Sequence, residues 1–230
     1  MKEYRYNEMK WLSFLYGALY LYFCTDFIKI LYAYNSSEGS HLSKLFESAL
    51  ITGAVSVTVY IFDSLIPSKC KNLLLGPKNL SASGYTVFSR IKTGRFKDER
   101  VSCNTAQATY NNVISSLPTS KKEKMMYENE QWSKLYVTLE NNGSVKQSQR
   151  DWLLCRDMYV ETILFFIFYL ISTFLFTNVS FSFELLLILL SMTIILNLAA
   201  HNKMKRFVYT VIAKDIFIKM NKNESEETEC

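Results

Sequence analysis

The chain has 230 residues, 49% of them apolar and 15% aromatic, with a formal net charge of +5. Its 7 Gly, 3 Pro and 5 Cys exclude collagen and disulfide-rich scaffolds, and its 16 Phe and 15 Tyr exclude wholesale disorder. The apolar residues are unevenly spread, and that unevenness sets the expected class: an integral membrane protein with a modest cytosolic portion.

Four stretches reach the roughly 20 residues that a helix needs to cross a hydrocarbon core. The first, 11–34, has Trp11, Tyr32 and Tyr34 near its ends, where amphipathic rings prefer the headgroup region. It carries Asp26 and Lys29, three residues apart on one helix face, so each can lower the cost of holding the other in lipid. Thr25-Asp26-Phe27 gives no small-residue cleavage pattern, so the segment reads as an anchor that stays. The second stretch, 45–66, contains Glu47 and Asp63. An alternative makes these first two stretches buried helices of a soluble domain.

The third, 158–179, and the fourth, 183–200, are long apolar runs with Glu161, Glu184 and Asn197 among them. Glu47, Asp63, Glu161 and Glu184 lie near span ends, within reach of the interface. Asp26, Lys29 and Asn197 are deeper and suit contacts between helices or between protomers.

Basic residues flank the spans asymmetrically. Three precede the first span, fifteen lie in 67–157 and six follow the fourth span, against one in 35–44 and none in 180–182. The positive-inside rule then puts both termini and the central stretch in the cytoplasm of a cell with this protein in its inner membrane. The expected order is an N-tail (1–10), a transmembrane hairpin (11–66), a cytosolic domain (67–157), a second hairpin (158–200), and a basic helix with an acidic tail (201–230). In fold class this is a mainly α membrane protein, four helices in two hairpins around a small α(+β) insert.

Within the insert, turn signals at Gly76-Pro77, Ser83-Gly84 and Thr93-Gly94 predict short strands or irregular structure, as at 85–91. Ser120 and Glu123 have capping-box spacing ahead of a predicted helix over 121–140. Its apolar stripe is Met125, Met126, Trp132, Leu135, Tyr136 and Leu139. Asn141-Asn142-Gly143 ends it, and a further helix from about Ser144 runs without a break into the third span, a continuity able to carry movement between domain and bilayer.

The block from Leu117-Pro118 through Gln131-Trp132-Ser133-Lys134-Leu135-Tyr136 to Arg150-Asp151-Trp152-Leu153-Leu154-Cys155-Arg156-Asp157 resembles a segment of small bacterial four-span membrane proteins. The resemblance covers about residues 117–157 and implies no catalytic signature.

Arg150, Asp151, Arg156 and Asp157 precede the third span and suit juxtamembrane coupling, as ion pairs or as contacts to lipid phosphates. After the fourth span, Lys203, Lys205 and Arg206 are followed by Phe207, Val208, Val211, Ile212, Ile216 and Phe217. A helix of this kind can lie on an anionic leaflet, or it can pack on the central domain. Glu224, Glu226, Glu227 and Glu229 read as a disordered end.

No zinc-type cysteine pair, glycine-rich phosphate loop or nucleophile elbow is present in the sequence, so no metal or cofactor is expected. The domain's excess of fifteen basic over eight acidic residues is explained by membrane retention, and nucleic acid is not an expected partner. The expected partners are the bilayer, further copies of the chain, and a cytosolic protein or small-molecule signal.

The leading reading is a homo-oligomeric membrane effector or sensor, with a pore as one form of output. This layout is shared with bacterial stress and phage-defence effectors, by analogy of architecture. The alternative is a membrane-embedded enzyme acting on lipid or peptide through Asp26, Asp63 or Arg156. A transporter is disfavoured by the scarcity of Gly and Pro to break helices.

Overall fold

The computed structural model describes residues 2–24, 53–54, 57–58, 61–76, 84–175 and 180–228. They are mainly helical, and among them the only β pairing is an isolated bridge between Asp98 and Val101. The named helices are α1 (Lys2–Cys24), α2 (Ser68–Leu74), α3 (Val87–Lys92), α4 (Cys103–Thr109), α5 (Asn111–Ser115), α6 (Lys121–Leu139), α7 (Gly143–Leu175) and α8 (Phe183–Thr228), with a 3-10 turn at Gly84–Thr86. The chain divides into two compact units. Unit 1 takes Met1–Leu74 and Leu154–Leu198, and unit 2 takes Leu75–Leu153 and Ala199–Cys230.

Both α7 and α8 cross that division because nothing in their sequences stops them. After Gly143, α7 has neither Gly nor Pro, and α8 has none over 46 residues. The Asn142 side chain accepts from the Ser144 amide at 3.1 Å and starts α7. Ser182 starts α8 in the same way, its hydroxyl accepting from the Leu185 amide at 3.2 Å. Both helices are long and apolar enough to cross a membrane, yet only 39% and 22% of their most apolar stretches is buried.

In unit 1, α1 turns one face inward through Leu12, Ser13, Tyr16, Tyr20 and Cys24, spaced as a helix requires. Phe165 and Tyr169 of α7 and Leu185 and Leu189 of α8 complete that core. Tyr16 stacks on Phe165 with ring centroids 5.0 Å apart. The Ser180 amide and hydroxyl both donate to the Cys24 carbonyl at 3.2 Å, closing the end of α1. Tyr169 is tied to the start of α8, donating to the Ser182 carbonyl at 2.8 Å and accepting from its amide at 3.0 Å.

In unit 2 the second half of α8 is the central element. Val208, Tyr209, Ile212, Ala213 and Ile216 are buried with Val87, Phe88 and Ile91 of α3 and with Phe96, Tyr110 and Ile114. Phe207 is packed between aromatic rings, stacked on Trp152 at 5.8 Å and edge-on to Trp132 and Tyr136 at 5.5 and 5.6 Å. Gly84 lies against Trp132 so closely that a Cβ there would be 2.8 Å from the indole, which is why no larger residue fits this turn.

Several expectations are corrected. At 85–91, where short strands or irregular structure are expected, the chain forms a 3-10 turn leading into α3, because Val87, Phe88 and Ile91 share a helical face toward α8. The described part of the insert is therefore mainly helical, with turns and the 98–101 bridge between helices and no strand. Helix α6 starts at Lys121 as expected, but Ser120 makes no side-chain capping bond. Met126 stands 63% exposed, off the stripe that Trp132, Leu135, Tyr136 and Leu139 share. Of the two placements open to the tail helix, packing on the central domain is the one found, with Phe207, Val208, Val211, Ile212 and Ile216 in the core of unit 2 and not on a leaflet. Helix α8 also continues to Thr228, through the stretch expected to be disordered. The later half of the first predicted span and most of the second lie outside the described residues.

Candidate functional site

The densest polar feature is a buried ion network in unit 1. Residues 61–65 are helical, the chain turns at Ile66-Pro67, and α2 begins at Ser68. This turn brings Lys71 back onto Asp63, whose two carboxylate oxygens each accept from Nζ at 2.7 Å. Nζ also lies 3.5 Å from Oδ1 of Asp157 on α7. Arg156 meets the same oxygen through Nε at 3.1 Å and Nη2 at 3.0 Å, and its Nη1 donates to Asn72 Oδ1 at 3.1 Å. One turn further along α7, Glu161 accepts from the Ser13 hydroxyl of α1, while its Oε2 has no hydrogen-bond partner. Tyr16 and Thr162 share a 2.6 Å bond beside it.

Asp63, Lys71, Arg156, Asp157 and Glu161 are each at most 5% exposed. Charges taken out of water cost several kcal/mol apiece unless they are paired and hydrogen-bonded; the first four are paired between 61–74 and α7, and Glu161 takes its hydrogen bond from Ser13 of α1. The network fixes the register of α1, 61–74 and α7. Each cation is engaged by a carboxylate, and among the described residues no group of three His, Cys, Asp or Glu is placed to hold a metal ion.

The four juxtamembrane residues singled out in the sequence divide between the units. Arg156 and Asp157 belong to the network above. Arg150 and Asp151 belong to unit 2, where Asp151 accepts from Lys203 and from Gln147, both at 2.8 Å. Arg150 is half-buried and its Nε has no hydrogen-bond partner. Of the expected surface cations, Lys203 is thus paired, while Lys205 and Arg206 are exposed, Lys205 lying 5.4 Å from the Tyr209 ring centroid. Asn197 is half-buried, and Asp26 and Lys29 lie outside the described residues.

Lys71, Ser13 and Asn72 were not distinguishable in the sequence. Lys71 is one of the fifteen basic residues of 67–157, and only its position four residues after Pro67 hints at a return toward Asp63.

Unit 2 has its own buried polar groups. Glu128 is 1% exposed and takes both the amide (3.0 Å) and the hydroxyl of Ser89, capping the first turn of α3 from α6. Tyr110 donates to Asp215 at 2.6 Å, and Lys219 pairs with the same carboxylate oxygen at 2.6 Å. Burial pushes the Tyr110 phenol well above its usual range, and the neighbouring Asp215 raises it further. Burial also pushes the Asp98 carboxyl up, but hydrogen bonds and charge from Arg100, with the charge of Arg206, hold it below the usual carboxylate range. Arg100 is in turn 3.1 Å from the Thr210 hydroxyl of α8. Compared with protein-family models, curated proteins and solved structures, the chain has no match in any of the three.

Proposed function

We propose that this chain is a homo-oligomeric multi-pass membrane protein, a non-enzymatic effector or sensor with unit 1 in the bilayer and unit 2 in the cytosol. One observation carries the reading: unit 1 is built inside out for water. Among the described residues, 21 of the 26 large apolar side chains that stand exposed belong to unit 1, as do nine of the twelve buried polar ones. In water this arrangement loses on both counts, whereas in hydrocarbon each apolar side chain already has its preferred solvent and each polar group needs an internal partner. Unit 2 has the ordinary pattern, an apolar core under a polar surface, and suits docking of a protein or small-molecule signal. Because α7 and α8 each contribute to both units without interruption, a change of state in one has a continuous backbone path to the other.

The test is extraction and topology of the full chain in cells. Retention in the membrane pellet after alkaline carbonate, with the half-buried Cys103 labelled only after permeabilisation, supports the reading. Release into the soluble fraction overturns it. A detergent-solubilised mass of one chain would remove the oligomer, and liposomes that hold their dye under every trigger would remove the pore. The enzyme reading draws on the meeting of Asp63 and Arg156 in one network. Both are held there by structural partners, Lys71 for Asp63 and Asp157 with Asn72 for Arg156.

A further inference from the structure

Helix α2 falls within the stretch 67–157 that the sequence assigns to the cytosol, yet its faces are distributed as in the rest of unit 1. Lys71 is 4% exposed and Asn72 is half-buried, both engaged in the ion network, while Leu73 is 81% and Leu74 is 42% exposed. A water-facing helix would place those residues the other way round. The pattern continues back through the preceding helical turn, where Asp63 is 5% exposed and Ile61, Phe62 and Leu65 are 49%, 55% and 69% exposed. The outer side of 61–74 therefore offers five large apolar side chains. Lys69 is exposed one turn before Leu73 and on the same face.

We propose that α2 is a lipid-contacting helix seated at the boundary between headgroups and acyl chains, with Leu73 and Leu74 among the chains and Lys69 at the lipid phosphates. The occupant of this face is phospholipid, because the face continues the exposed apolar surface of unit 1 and carries, between Leu65 and Leu73, a cation long enough to reach from acyl chains to headgroups. The inference rests on the bilayer reading of unit 1, and it moves the membrane boundary past Pro67 to the end of α2. The buried network gives the placement its physical logic. With Lys71 and Asn72 turned inward to Asp63, Asp157 and Arg156, the helix has polar partners on one side and needs none on the other.

The experiment uses the full chain in vesicles of phosphatidylcholine and phosphatidylglycerol, with Cys70, Cys103, Cys155 and Cys230 changed to Ser and the buried Cys24 kept. A fluorophore is placed by Leu73→Cys, by Phe174→Cys in the apolar part of α7, or by Met126→Cys on the surface of unit 2. Each is challenged with lipid carrying a shallow spin label and with aqueous iodide. The expected result is loss of Leu73 emission to the lipid quencher with protection from iodide, and the opposite at Met126. If Phe174 is quenched by lipid while Leu73 is quenched only by iodide, the interfacial helix is overturned and the membrane reading stands. If Leu73 is shielded from both quenchers, a second copy covers the face and the lipid proposal is again overturned. If no position responds to lipid, both readings fall together.

Discussion

Lys71 holds Asp63 at 2.7 Å and reaches Asp157 at 3.5 Å, in a setting where neither carboxylate is more than 5% exposed. Lys71→Ala would leave buried carboxylates short of a cation, and breaking a buried pair from one side costs about 3–5 kcal/mol. The exposed Lys134–Glu130 pair on α6, 2.8 Å apart, is the matched control, since a surface i,i+4 pair is worth about 0.3–0.5 kcal/mol. Thermal unfolding in detergent should therefore separate Lys71→Ala sharply from Lys134→Ala, and equal midpoints would show the network to be solvated. Tyr110 allows a pH test in unit 2. Its folded-state pKa is raised by burial and by Asp215, so the neutral phenol contributes stability that is fully present below pH ~10 and is lost as pH rises further. In an alkaline titration, phenolate absorbance from Tyr110 should appear only together with unfolding. Tyr110→Phe should cost about 1.5 kcal/mol, with Asp215 kept by Lys219, and should make alkaline unfolding less steep.

Helix α8 shows why some elements can be read in a sequence and others cannot. Its apolar first half and its continuation past Ala200 follow from composition and from the absence of Gly and Pro. The partner of its second half does not. Phe207, Val208, Val211, Ile212 and Ile216 have a spacing that suits a leaflet as well as a protein core, and only the contacts with α3 and α6 decide between them. Helix α6 was legible to within a residue at each end because Pro118 and Asn141-Asn142-Gly143 bracket it. At 85–91 the flanking turn signals suggested a short strand or irregular structure, whereas the i, i+1, i+4 spacing of Val87, Phe88 and Ile91 is helical and is completed by Glu128 from 39 residues away. The ion network was legible only in part, through Arg156, Asp157 and Asp63, because its closure on Lys71, Asn72 and Ser13 depends on packing between distant segments. The assignment of α8 as the central element of unit 2 carries its own prediction. A chain ending at Lys205 removes Phe207 to Ile216 and uncovers Phe88 and Ile91, so limited proteolysis should degrade 84–153 rapidly. A chain ending at Asn221 keeps every residue of α8 that is described as buried and should resist as the full chain does. Equal resistance of the two would mean that unit 2 does not depend on α8.

At the scale of the whole molecule, exposure means different things in the two units, and this makes the same substitution a discriminating test. Ile171 on α7 is 50% exposed and Ile218 on α8 is 51% exposed, so area alone predicts the same effect for both. Ile171 belongs to unit 1 and Ile218 to unit 2. If both faced water, changing either to Lys would be neutral or would improve solubility, because surface substitutions away from packed features stay within about 0.5 kcal/mol. If the exposed side of α7 faces hydrocarbon, Ile171→Lys instead places an ammonium where insertion costs about 2.5–3.5 kcal/mol, reduced by whatever snorkelling the side chain achieves. The expected outcome is loss of membrane-inserted protein for Ile171→Lys and wild-type levels for Ile218→Lys, read as the carbonate-resistant fraction. Ile171→Leu keeps the apolar surface and should insert normally, which separates the effect of charge from that of altered shape. Equal tolerance of Lys at 171 and 218 would show one solvent around both units, and the inside-out arrangement of unit 1 would then have to be covered by protein instead of lipid.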